Sequence, residues 1–150
     1  MKRIATKQIK KLAPGLSVAE AANADTVGGQ PASAFASRTS EAYREIGTSG
    51  QPQFQNGWAN VGAGNSTAAF YRDPLGLVHL KGTLETNNDN SVAFTLPSGY
   101  RPSRTLNMPA FPGTGHPTQL TVTANGGVSA DCIGVATCRA GIDGLAFRVP

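Results

Sequence analysis

The sequence predicts an all-β protein, a sandwich or barrel of short antiparallel strands behind an N-terminal appendage, and three observations carry that expectation. From Leu77 to Glu85, Val78, Leu80, Gly82 and Leu84 alternate with His79, Lys81, Thr83 and Glu85, the period-two pattern of a strand with one buried and one exposed face. Similar short runs follow one another from Phe54 onward with turn residues between them. Only 15% of residues are charged, against roughly a quarter in average proteins, while 18 Gly and 10 Pro supply corners. A chain of 150 residues has room for one domain with a real core and a tail. The tail is assigned to residues 1–50 and the body to residues 51–150, with Thr48 to Gln55 as the hinge.

In chain order, the first segment is basic. Lys2, Arg3, Lys7, Lys10 and Lys11 contain no acid among them, so the +4 formal charge belongs to this arm, and the rest carries eight basic against nine acidic residues. The arm reads as a solvated chain end, with contact to phosphate or anionic lipid as the functional alternative. Ile4 to Leu12 is interrupted by Lys and Gln and forms no signal-peptide core, and no run is long enough to span a bilayer. Retention in a cytosol, or exit by another route than general secretion, is expected.

Ile9, Leu12 and Leu16 share a helical face, but Pro14-Gly15 stops a helix that begins near Thr6. Ser17 with Glu20 forms a capping box ahead of a second short helix through Ala22. Ser40 to Ile46, ending at Gly47, makes a third. Isolated helices shorter than ~12 residues are marginal in water, so these pieces need a partner, either the body or copies of themselves.

In the body, strands are expected over residues 54–62, 67–73, 77–85, 91–96, 104–111, 118–124, 127–132 and 143–149. Asp73-Pro74-Leu75-Gly76 predicts a hairpin closed by a three-residue loop with a Gly bulge, which sets Phe70 opposite Leu80 inside and Tyr71 opposite His79 outside. Asn87-Asn88-Asp89-Asn90 tolerates left-handed backbone, and Asn125-Gly126-Gly127 links Leu120 and Val122 to Val128 as a tight hairpin. Pro97 to Pro102 reads as a rigid corner. At the end Leu145, Phe147 and Val149 share one face, and Ala146 and Arg148 the other.

The succession Phe54-Gln55-Asn56-Gly57-Trp58-Ala59-Asn60, Phe70-Tyr71-Arg72-Asp73, Gly76-Leu77-Val78-His79-Leu80-Lys81-Gly82, Phe94 to Pro102 and Gly144 to Arg148 resembles the C-terminal heads of bacteriophage tail-fibre and receptor-binding proteins. Ala22 to Ala36, with Asn-Ala-Asp-Thr-Val and Phe35, is similar to fibre-shaft segments. What the resemblance implies is an antiparallel, jelly-roll-like β-sandwich head on a short intertwined stem in a homotrimer. Ile9, Leu12, Leu16, Val18, Val27 and Phe35 would then face the other chains, and the N-terminal segment would join other tail or fibre proteins. The protein would be assembled in the bacterial cytoplasm and carried on the virion, where the head touches a host-surface glycan or protein. No cofactor, nucleic acid or membrane insertion is implied.

Gly62-Ala63-Gly64-Asn65-Ser66-Thr67 lacks the third Gly, the Lys and the following helix of nucleotide-binding loops, and reads as a strand connection. His79 and His116 are the only histidines, and no G-x-S-x-G elbow accompanies them. His79 reads as a cross-strand neighbour of Tyr71, and His116 lies on a loop where a binding role is easier to place. Acids are scattered singly, so no glycosidase pair stands out. Trp58, the single Trp, reads as a core or interface residue rather than a sugar platform. Cys132 and Cys138 make a lone C-x5-C pair without a nearby His: zinc is not expected, and free thiols and a small-loop disulfide are both open. Binding is expected from loops: Asn87, Asn88, Asp89 and Asn90 offer donors and acceptors to hydroxyl-rich ligands, and Tyr100 with Arg101 an aromatic face and a charge. The expected class is a non-enzymatic binding protein. A self-assembling fibre module and a glycan depolymerase are the alternatives.

Overall fold

A computed structural model describes residues 26–27, 30–31, 40–88, 91–112, 118–132 and 134–150. The chain divides into two compact units, Met1–Ser37 and Arg38–Pro150. In the first, β1 (Thr26–Val27) and β2 (Gln30–Pro31) form a short antiparallel ladder with Thr26 opposite Pro31. The expected helices before Ala22, and Ile9, Leu12, Leu16, Val18 and Phe35, lie outside the described residues; Val27 stands in β1.

The second unit is a sandwich of two antiparallel sheets, and no described residue is helical. Its strands are β3 (Arg44–Glu45), β4 (Ala59–Asn60), β5 (Ala69–Arg72), β6 (Leu77–Lys81), β7 (Thr83–Thr86), β8 (Val92–Thr95), β9 (Leu106–Pro112), β10 (Thr118–Val122), β11 (Gly127–Cys132), β12 (Cys138–Gly141) and β13 (Ala146–Arg148). One sheet has seven strands in the order β4-β7-β12-β9-β10-β11-β8, the other four in the order β13-β6-β5-β3. Phe70, Val78 and Leu80 from the smaller sheet and Leu84, Phe94, Leu120, Val122 and Val128 from the larger are fully buried in one apolar cluster.

The β5–β6 hairpin has the expected register, Phe70 opposite Leu80 and Tyr71 opposite His79. Its loop follows from its residues: the Gly76 N–H donates to the Asp73 carbonyl at 3.1 Å and the Asp73 N–H to the Leu77 carbonyl at 2.9 Å, with Gly76 at φ +81°. Asp73 Oδ1 accepts from the N–H groups of Leu75 and Leu77, both at 2.9 Å. The β10–β11 hairpin closes in the same way through Thr123, Gly127 and Gly126.

The run from Leu77 to Glu85 is not one strand, however. It breaks at Gly82, with φ +115°, and passes from the smaller sheet as β6 to the larger as β7. A Cβ at Gly82 would lie 2.5 Å from the Ala68 Cα, so only glycine lets the chain cross there. The partner ladder crosses beside it: β12 pairs with β7, β13 with β6, and the Ile142 N–H donates to the Gly82 carbonyl at 2.8 Å. The two ladders turn the corner together, as strands that switch sheets do.

Three further expectations are corrected. Ser40 to Ile46 is not a helix: Arg44 and Glu45 pair with Phe70 and Ala69, and Ile46 is 3% exposed in the core, so burial and cross-strand pairing outweigh weak local helix preference. These residues belong to the second compact unit, Arg38–Pro150. The strand expected over 54–62 shrinks to Ala59–Asn60, because Asn56 and Gly57 both take positive φ in a turn closed by the Trp58 N–H on the Gln55 carbonyl at 3.0 Å. Strand β12 was not expected at all. Cys132 and Cys138 form a disulfide, and Trp58 is buried with its indole N–H bonded to Ser91.

Candidate functional site

Two polar regions of the body bring chemistry together. The first stands where β7 leaves the larger sheet. Thr86 turns inward, and its hydroxyl accepts the Asn88 N–H at 3.0 Å, which directs Asn87 and Asn88 outward; both are exposed. Pairing of β7 with β12 sets Glu85 opposite Arg139, whose Nε donates to Glu85 Oε2 at 3.0 Å. The Thr137 hydroxyl donates to Asn87 Oδ1 at 2.8 Å. Strand β4, on the other side of β7, brings Ala59 opposite Glu85 and with it the Asn56-Gly57 turn. Gly57, Ala59, Glu85, Thr86, Asn87 and Thr137 together line a recess of about 210 Å³. The Cys132–Cys138 disulfide closes the loop at whose end Thr137 stands.

The second region is the outer face of the smaller sheet. Tyr71 and His79 stack with ring centroids 4.6 Å apart, and Tyr43 meets Tyr71 edge-on at 4.8 Å. His79 Nε2 lies 3.0 Å from Asp73 Oδ2. Asp73 is thereby held below its ordinary pKa, first by the hydrogen bond with His79 and then by the N–H groups that cap the loop. Lys81 Nζ sits 4.7 Å from the Tyr43 ring centre and 2.8 Å from Glu45 Oε1, and Thr67 donates to Glu45 Oε2. Desolvation works to raise the Glu45 pKa, but the hydrogen bonds and charge of its partners leave it lowered. Along the adjoining β3 edge, residues from Glu41 to Gln51 line a recess of about 410 Å³.

Of the residues expected to bind, Asn87 and Asn88 stand at the first region, with Asn87 in the recess wall. Asp89, Asn90 and His116 lie outside the described residues. Tyr100 is corrected. It is 8% exposed, its ring packs edge-on against Phe70, Arg44 and Arg72 lie over it, and its hydroxyl donates to Glu41, so it presents no aromatic face to solvent. Burial first, then the Glu41 carboxylate, raises the Tyr100 pKa. Arg101 is half-buried, with Nε donating to the Leu96 carbonyl at 2.8 Å, a tie across a chain corner. Glu85, Arg139, Thr137, Gly57 and Ala59 were not singled out from the sequence. Glu85 alone carried a signal, on the exposed parity of its strand. Among the described residues no group of three or more His, Cys, Asp or Glu could hold a metal, and no helix is long and apolar enough to cross a membrane.

No family model matches the sequence, and no curated protein matches it. Among solved structures, the receptor binding protein (gp15) of Listeria phage PSA is similar over 100% of this chain and 97% of that one, with a TM-score of 0.61 at 13% sequence identity. At that identity the likeness is one of architecture: the chain shares its fold with a phage receptor binding protein.

Proposed function

We propose that this protein is a phage receptor-binding tip, a structural and adhesive protein that attaches a virion to a bacterial surface through a glycan or protein receptor. In this reading it works as a homotrimer, its N-terminal segment joins other tail or fibre proteins, it is assembled in the host cytoplasm, and it catalyses no reaction. The observation that carries the reading is the full-length fold similarity to a phage receptor binding protein, which reaches from end to end of this chain rather than over a shared module. The polar loop ends and the recess beside Asn87 give it a surface suited to recognition.

Light scattering on the full chain tests the assembly: a mass of three chains is expected, and a monomer at micromolar concentration overturns the trimer. Fluorescently labelled full chain, applied to a panel of intact bacteria, tests adhesion. Retention on a subset of strains, displaced by unlabelled chain, is expected. Absence of retention on every strain, or release of reducing ends from purified surface polysaccharide, overturns the adhesive, non-enzymatic reading.

A further inference from the structure

We infer that the recess between the end of β7, the start of β12 and the Asn56-Gly57 turn is a subsite for one neutral sugar ring. The inference rests on the adhesive reading and adds to it a place and a ligand class. Its volume, about 210 Å³, falls below the ~300–1,000 Å³ of sites for drug-sized molecules, which suits a single ring rather than an extended chain.

The wall chemistry selects the ring. Glu85 and Arg139 neutralise each other at 3.0 Å, so the site has no net charge to attract a phosphate or a cation. Glu85 Oε2 is engaged, and its Oε1 accepts from no described residue. Asn87 uses Oδ1 to accept from Thr137, and its Nδ2 donates to no described residue. An open acceptor and an open amide donor, beside the Thr137 hydroxyl, match adjacent hydroxyl groups, each of which donates and accepts. Gly57 keeps one wall low: a Cβ there would stand 3.9 Å from the Thr86 hydroxyl oxygen, inside the recess.

The aromatic face of the smaller sheet fits a sugar less well, although it carries more rings. Tyr71 and His79 use their facing surfaces on each other, and the Lys81 ammonium lies over one face of Tyr43, which is otherwise exposed.

The test uses full-length, 15N-labelled protein and free D-glucose, D-galactose, L-rhamnose and N-acetyl-D-glucosamine in turn, with sorbitol as the open-chain control. For at least one sugar, and not for sorbitol, saturable amide shifts are expected at Gly57 to Ala59, Glu85 to Asn88 and Thr137 to Arg139, in the millimolar range of weak single-site binding. Asn87→Ala and Glu85→Gln, both at the surface, should each weaken that binding about tenfold while amides elsewhere keep their positions, and Thr137→Val gives a third variant that preserves shape. No shift with any of the four sugars, shifts at other residues, or binding unchanged in the variants overturns the subsite. The labelled-cell assay separates the two readings. Cell retention that survives Asn87→Ala and Glu85→Gln removes the recess and leaves adhesion standing, whereas sugar binding at the recess without retention on any strain keeps the subsite and removes the adhesive role.

Discussion

At the scale of single residues, the fold depends on a few side chains whose surroundings admit one type. Gly82 is the sharpest case: its positive φ and the Ala68 backbone 2.5 Å from any added Cβ mean that Gly82→Ala combines strain with overlap. A loss of about 3 kcal/mol or more is expected, read as a lower urea midpoint at unchanged slope. Trp58 is buried for its bulk and tied through its indole N–H to Ser91 at 3.1 and 3.0 Å. Trp58→Phe keeps most of the bulk and leaves the Ser91 acceptors without that donor, so a loss of about 1 kcal/mol is expected in the same measurement. The burial of Trp58 was legible because large aromatics usually bury most of their area. That of Tyr100 was not. Its neighbours Phe70, Arg44, Arg72 and Glu41 come from distant parts of the chain, and nothing beside it in sequence announces them.

At the scale of elements, local turn chemistry was readable and long-range pairing was not. Asp73-Pro74-Leu75-Gly76 holds its own instructions, so both the loop and the register of β5 on β6 could be read from it. Alternation, by contrast, runs unbroken through Gly82, because Leu80, Gly82 and Leu84 are all buried; the change of sheet leaves no mark on the pattern. Strand β12 is four residues, Cys-Arg-Ala-Gly, too short to show a period, yet it brings Arg139 to Glu85 beside the recess.

The Asp73 cap predicts a pH dependence. Its pKa is lower folded than unfolded, so its stabilising contribution is complete above the unfolded value of 3.8 and is lost as pH falls through the lower folded value. The thermal midpoint should therefore drop more steeply below ~pH 4 in the wild type than in Asp73→Asn, with Glu45 supplying part of what remains. Reduction of Cys132–Cys138, six residues apart, should lower stability by about 2 kcal/mol, measurable as a midpoint shift with and without reductant.

At the scale of the whole molecule, the class of fold followed from alternation, turn spacing and low charge, because a two-layer β core imposes all three on its sequence. The place of residues 40–47 was less legible. Residues 40–47, rich in small and polar types, look like part of an appendage, but Ile46 enters the core and β3 completes the edge of the smaller sheet. A truncation that begins at Arg38 is expected to keep the cooperative unfolding of the body, and one that begins at Gln51 to lose it, as followed by circular dichroism during a thermal scan.

The shared corner at Gly82 and Ile142 bears on how the body opens. A doubled ribbon bends there from one layer into the other, because β6 continues into β7 and β12 into β13 across the same bend. To part the layers, the Ile142 N–H must leave the Gly82 carbonyl, and the Gly82 N–H must leave Asp143 Oδ1, 3.0 Å away. The amide hydrogens of Gly82 and Ile142 should accordingly exchange with deuterium only through complete unfolding, at the slowest rate in the molecule.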